Sequence, residues 1–158
     1  MQAEVKVPVA GIVSIHDRDA KGFLAPDLRD LLPLLQPEGP GLVWAVLYLE
    51  AFGYVQPMYS RVEESPDGVI VTWAELCEFA AKEFQTIWGE FVGCRDRASI
   101  PEPRADGADL YGPCEFVLEA IDSSYWTVYA KDDAILDRFR AAFRDVRDKP
   151  LEGAGNPP

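Results

Sequence analysis

Apolar residues in this chain recur with two different periods, and the switches between them mark out the elements. Val5–Ile15 is rich in Val and Ile and predicts a strand, with Pro8 indicating an edge or a bulge. His16–Gly22 reads as a charged turn. Pro26–Gln36 predicts a helix, because Leu28, Leu31, Leu32 and Leu35 recur at spacings of three and four. Pro26 suits a first turn, and Pro33 must kink or end the helix. Gln36-Pro-Glu-Gly-Pro-Gly41 is a breaker. The apolar run Leu42–Phe52 reads first as a central strand, since breakers bound it and β-branched and aromatic residues are frequent in it. A buried helix fits the same run, because periodicity does not arbitrate.

Pro57–Asp67 reads as loop, part of it open to strand, and Gly68–Val71 as a short strand after a Pro66-Asp-Gly turn. Thr72 and Glu75 form a capping-box pattern. Behind it Trp73, Leu76, Cys77, Ala80, Phe84, Ile87, Trp88 and Phe91 follow helical spacing, which predicts one long core-facing helix. Gly93–Gly112 is polar, carries Pro101 and Pro103, and reads as a long binding or disordered loop. Cys114–Ile121, the turn Asp122-Ser-Ser and Tyr125–Ala130 predict a hairpin. A last helix starts at Asp132 and Asp133, buries Ile135, Leu136, Phe139, Ala142, Phe143 and Val146, and stops at Pro150. The expectation is a single α+β domain over 1–149, a mainly antiparallel sheet of about five strands packed by about three helices. A disordered Gly/Pro-rich tail is expected over 150–158.

Charge narrows the function classes. There are 27 Asp and Glu against 15 Lys and Arg, a formal net charge of −12, with one histidine. Arg61–Ser123 holds fourteen acids and five bases, whereas Lys131–Lys149 is nearly balanced. Such a surface repels nucleic acid and anionic membranes at long range and attracts a basic protein partner. The same acidity also serves solubility alone. Cys77, Cys94 and Cys114 are an odd number without a CxxC pair, so reduced thiols in a cytoplasm are expected. Cys77 reads as a small core residue. The N-terminus lacks the pattern of a secretory signal, and no apolar run reaches membrane-spanning length.

Chemical motifs are scarce. His16-Asp17-Arg18-Asp19 is the densest polar cluster at a strand end, and His16 as base with Asp17 orienting it is the enzyme or ligand-site alternative. A solvated turn explains the same residues. A calcium loop fails there, because Lys21 and Leu28 occupy ligand positions. A Cys94–His16 pair has no support in the spacing, and Asp122 with Ser123 and Ser124 reads as turn chemistry. No nucleotide, zinc or hydrolase motif is present, and no cofactor or metal is expected.

From Glu115 through Asp122-Ser-Ser and Tyr125-Trp-Thr-Val-Tyr-Ala to Ile135-Leu136 and Phe143-Arg-Asp-Val146, the chain resembles the ends of small immunity proteins. Those proteins are encoded beside bacterial polymorphic or contact-dependent toxins. The resemblance implies a cytoplasmic, non-catalytic protein that binds and occludes one cognate toxin. Candidate contact residues, taken from the charge pattern, are Glu63, Glu64 and Asp67 near the Pro66 turn and Asp106 and Asp109 in the long loop. Tyr59 and Tyr111 are the candidate aromatic anchors.

Overall fold

The computed structural model describes residues 8–151. Among the described residues seven strands form one sheet in the order β3-β2-β4-β5-β6-β1-β7, and every neighbouring pair is antiparallel. The strands are β1 (Gly11–Ile15), β2 (Val43–Gly53), β3 (Val69–Val71), β4 (Glu83–Cys94), β5 (Phe116–Ile121), β6 (Tyr125–Ala130) and β7 (Val146–Lys149). The helices are α1 (Leu28–Leu31), α2 (Met58–Glu63), α3 (Trp73–Lys82), α4 (Gly107–Tyr111) and α5 (Asp133–Ala142). The α+β class is as expected, with seven strands where about five were expected and five helices where about three were.

Neighbouring residues of the central strands split between two cores. Val13, Val46, Phe91, Leu118 and Val128 pack with Leu28, Leu31, Leu76, Phe79, Leu136 and Phe139 of α1, α3 and α5. Their chain neighbours Ile12, Ala45, Val92, Val117 and Tyr129 pack on the opposite face with Leu110 of α4. This is the period of two expected of a sheet covered on both sides. It explains why Leu42–Phe52 showed no alternation: the strand reading holds, and β2 is apolar on both faces.

The largest correction concerns residues 73–91. Thr72 Oγ1 does accept from the Glu75 backbone N–H, and the Thr72 N–H donates to Glu75 Oε1, both at 3.0 Å. The helix they start ends at Lys82, however, and the chain runs straight into the twelve residues of β4. Phe84 and Trp88 are therefore exposed rather than on a core stripe. Gly93 belongs to that strand for a packing reason. A Cβ there would lie 2.9 Å from the fully buried Trp44, whose indole donates to the Gly39 carbonyl at 2.8 Å.

Other boundaries also move. Residues 57–67 contain α2 rather than loop or strand, and Pro26–Gln36 divides into α1 and a 3-10 turn, Leu32–Leu35, that accommodates Pro33. Gly93–Gly112 is not a structureless loop. It carries a 3-10 turn (Arg97–Ser99) and α4, and its Ile100, Leu110 and Tyr111 cover half of the second face. The last helix ends at Ala142, and Val146 starts β7. Asp122 and Ser123 adopt φ of 48° and 55°, the geometry of a tight hairpin turn, as their residue types predicted. The first residues of the expected Val5 strand and the tail beyond Leu151 lie outside the described residues.

One polar link is buried within the helical layer. Glu83, 1% exposed, and Asp27, 6% exposed, lie side by side where β4 begins. Thr86 donates its hydroxyl to Glu83 Oε1 at 2.8 Å and its N–H to Asp27 Oδ1 at 3.1 Å. Burial, followed by the adjacent Asp27, pushes the Glu83 carboxyl up to about 9. At neutral pH the pair therefore shares one proton, which ties the start of α1 to the start of β4.

Candidate binding surface on the open half of the sheet

The 95–112 segment covers only one end of the second sheet face. Across the other end runs a row of directly opposed residues: Tyr48, Glu90, Glu119, Thr127, Ser14 and Arg147 on β2, β4, β5, β6, β1 and β7. The next row toward the open end places Glu50 opposite Trp88. Tyr48 and Glu50, two residues apart on one strand face, are hydrogen-bonded through the phenol and the carboxylate. Aromatic and acidic side chains thus share a sheet surface that no helix among the described residues covers.

A groove of about 650 Å³ lies on this surface. Leu47, Tyr48, Trp88, Glu90 and Glu119 form its floor. Val62, Glu63, Ser65 and Pro66 wall one side, and Pro103 and Arg104 wall the other. Arg104 holds a left-handed backbone, φ 70°, at that rim.

The electrostatics of the floor are unusual. Glu90 and Glu119 face each other across β4 and β5, and Glu90 Oε1 is buried without a hydrogen-bond partner. Burial, then the Glu119 charge, raises the Glu90 carboxyl to about 7. Glu119 is better supported: its Oε1 accepts from the Tyr111 hydroxyl at 2.8 Å and the Thr127 hydroxyl at 3.3 Å. The groove therefore offers a hydrogen-bonded carboxylate, a second carboxyl whose pKa burial raises to about 7, and an aromatic wall. A cationic side chain entering it would be attracted by Glu119 and Glu63, could pack on Trp88, and would draw Glu90 into its charged form.

The structure distributes the residues singled out from the sequence unevenly. Glu63 lines the groove, and half-buried Tyr59 stands beside it, with its hydroxyl 3.4 Å from Glu63 Oε1. Glu64 and Asp67 are exposed on the outer side of the same wall. Asp106 precedes α4 and Asp109 lies within it, both exposed, and neither lines the groove. Tyr111 is half-buried, stacks on Tyr129 at 5.1 Å between ring centres, and steadies Glu119 rather than standing free.

The His16 cluster divides into separate structural tasks. His16 Nε2 is hydrogen-bonded to Ser14 Oγ at 2.8 Å, and its ring stacks on Tyr125. Burial and then nearby Arg147 hold its pKa below the ordinary value. Asp17 does not orient it; its carboxylate accepts the backbone N–H groups of Arg144 and Asp145, anchoring the turn between α5 and β7. Asp19 accepts from the N–H groups of Lys21 and Phe23 within its own turn, and Arg18 reaches the Ser124 carbonyl. The sulfur contacts of Cys94 are Ser99 and Cys114, not His16.

Tyr48, Trp88, Glu90 and Glu119 were not among the sequence candidates. A helix over residues 73–91 puts Trp88 in the core stripe and Glu90 off that stripe. Gly89 was the available signal against that reading, because glycine in a helix interior costs about 1 kcal/mol relative to alanine.

No family model, curated protein or solved structure matches this chain. Among the described residues no helix is long and apolar enough to cross a membrane, and no group of three or more His, Cys, Asp or Glu could hold a metal ion.

Proposed function

We propose that this chain is a binding protein that captures a basic protein partner on the open half of its sheet, and that it acts as a toxin-neutralising immunity protein. The observation that carries this reading is the groove itself. Its floor and one wall bring together Tyr48, Trp88, Glu63, Glu90 and Glu119 on a face that the described residues leave uncovered. Aromatic anchors ringed by charge are what a tight protein contact uses, and net acidity speeds encounter with a cationic surface. The likeness of Glu115–Val146 to immunity proteins supports the same reading, because Glu119 of the groove lies within it. Location in the cytoplasm and neutralisation by occlusion belong to this proposal.

The test is co-purification with the product of the adjacent gene, together with rescue of cells that express it. A complex that survives gel filtration, with rescue lost in Trp88→Ala combined with Glu63→Lys, is the expected result. Absence of both complex and rescue overturns the proposal.

A second reading rests on Glu90. A carboxyl poised near neutrality in a groove can serve as a general acid toward a small substrate. Under that reading Glu90→Gln abolishes a chemical activity outright, whereas under the first there is no such activity to lose and the substitution only weakens partner binding.

A further inference from the structure

We propose that Cys94 and Cys114 form an oxidisable dithiol, a modification site whose disulfide latches the 95–113 segment onto the sheet. The sequence concealed this pair: the two cysteines are twenty residues apart and match no redox motif. Folding places their sulfurs 3.3 Å apart, with both residues fully buried. The backbone on either side is fixed by the β4–β5 ladder, in which Gly93 opposes Phe116 and the Glu115 N–H donates to the Gly93 carbonyl at 2.8 Å. Closing the bond to about 2.05 Å therefore asks for an approach of just over 1 Å, within reach of side-chain rotation. The third thiol cannot compete. Cys77 is half-buried on α3 against the helix-covered core, whereas Cys94 and Cys114 belong to the core on the other face.

The oxidant required is a small-molecule disulfide such as glutathione disulfide, and the chemistry is two exchanges. The Cys94 thiolate attacks one glutathione sulfur, forms a mixed disulfide and releases glutathione thiolate. The Cys114 thiolate then attacks the Cys94 sulfur of that mixed disulfide and releases the second glutathione. The two protons given up by the cysteines are taken by the two glutathione thiolates. The close hydrogen-bonded contact with Cys114 lowers the Cys94 pKa against the opposing effect of burial, so Cys94 is the attacking sulfur. Once Cys94 is capped, its negative charge no longer opposes ionisation of Cys114. Access comes from local opening of the 95–113 segment, whose outer ties are Arg95–Glu115 at 2.8 Å and Tyr111–Glu119 at 2.8 Å.

The bond would join the two ends of the segment that covers the second core with Ile100 and Leu110 and supplies Pro103 and Arg104 to the groove rim. This consequence is independent of what the groove binds.

The experiment incubates the native chain with excess glutathione disulfide in about 1 M urea, well below a typical unfolding midpoint, and follows intact mass, free thiols and amide exchange. The expected product has lost about 2 Da, keeps one titratable thiol and yields a Cys94–Cys114 cross-linked peptide. Exchange within 95–113 slows at least about tenfold, and dithiothreitol reverses every change. Cys77→Ser keeps the mass loss and the cross-linked peptide but leaves no titratable thiol, and Cys94→Ser abolishes the mass loss. A stable glutathione adduct without an internal bridge, a bridge through Cys77, or three thiols remaining after prolonged incubation each overturns the proposal.

Discussion

Glu90 and Glu119 stand directly opposite one another across β4 and β5, and only Glu119 has hydroxyl donors. One carboxyl is thus held in place by two hydroxyl donors, while burial and the neighbouring charge raise the pKa of the other. The asymmetry follows from position: Tyr111 and Thr127 reach Glu119, and nothing reaches the buried oxygen of Glu90.

That asymmetry predicts the titration of Glu90. A carboxyl-detected NMR titration should give a midpoint near 7, and Glu119→Gln should lower it while leaving the part due to burial. Because the folded pKa lies above the unfolded one, the contribution of Glu90 to stability is complete below about 4.5 and is lost as pH rises through about 7. Glu90→Gln should remove that loss. A midpoint at the ordinary glutamate value contradicts the burial argument.

The buried Asp27–Glu83 pair gives a second pH dependence of the same sign. Its proton is held in the native state, so stability should fall as pH rises from about 4.5 toward 9. Glu83→Gln keeps a neutral partner in the same space and should flatten this slope at small cost. Asp27→Ala leaves the buried Thr86 N–H without its acceptor and should cost about 1–3 kcal/mol. Urea unfolding at several pH values reads both.

Gly93→Ala tests the packing of Trp44. The added methyl meets the indole at about 3 Å, and the crowding should cost about 1–3 kcal/mol. Thermal unfolding of the variant measures it, and an unchanged midpoint would mean that Trp44 moves aside freely.

Trp88→Ala separates folding from binding. Trp88 is 37% exposed on the groove floor, so its loss should leave stability within about 1 kcal/mol of wild type. Partner affinity should fall by about 2 kcal/mol or more, roughly thirtyfold, if Trp88 is an anchor. Calorimetry and chemical unfolding on one sample decide between a binding residue and a structural one.

Local chemistry in this chain was legible where one element bore one signal. The Thr72–Glu75 capping box, the Asp122–Ser123 turn and the α5 stripe through Phe139 could be read because each acts within a few residues. β4 could not be read as easily. Phe84, Ile87, Trp88 and Phe91 satisfy a helical period by coincidence, and the strand period that competes with it is blurred because Phe91 and Val92 are buried on opposite faces. The site was hidden for the same reason. Glu63 and Tyr59 emerged from composition near a turn, but Glu90 and Glu119 meet only through strand pairing, and Cys94 and Cys114 only through the ends of two strands. Pairing between segments is the information that period and propensity do not carry.

The central claim is that the open half of the sheet is the binding face, and hydrogen–deuterium exchange on the complex with the adjacent gene's product tests it most directly. Exchange is expected to slow in α2 and along β4 and β5 from Trp88 to Glu90 and Glu119 to Ile121, with α1 and α5 unchanged. Protection confined to the helical face, or no complex at low salt, would contradict it.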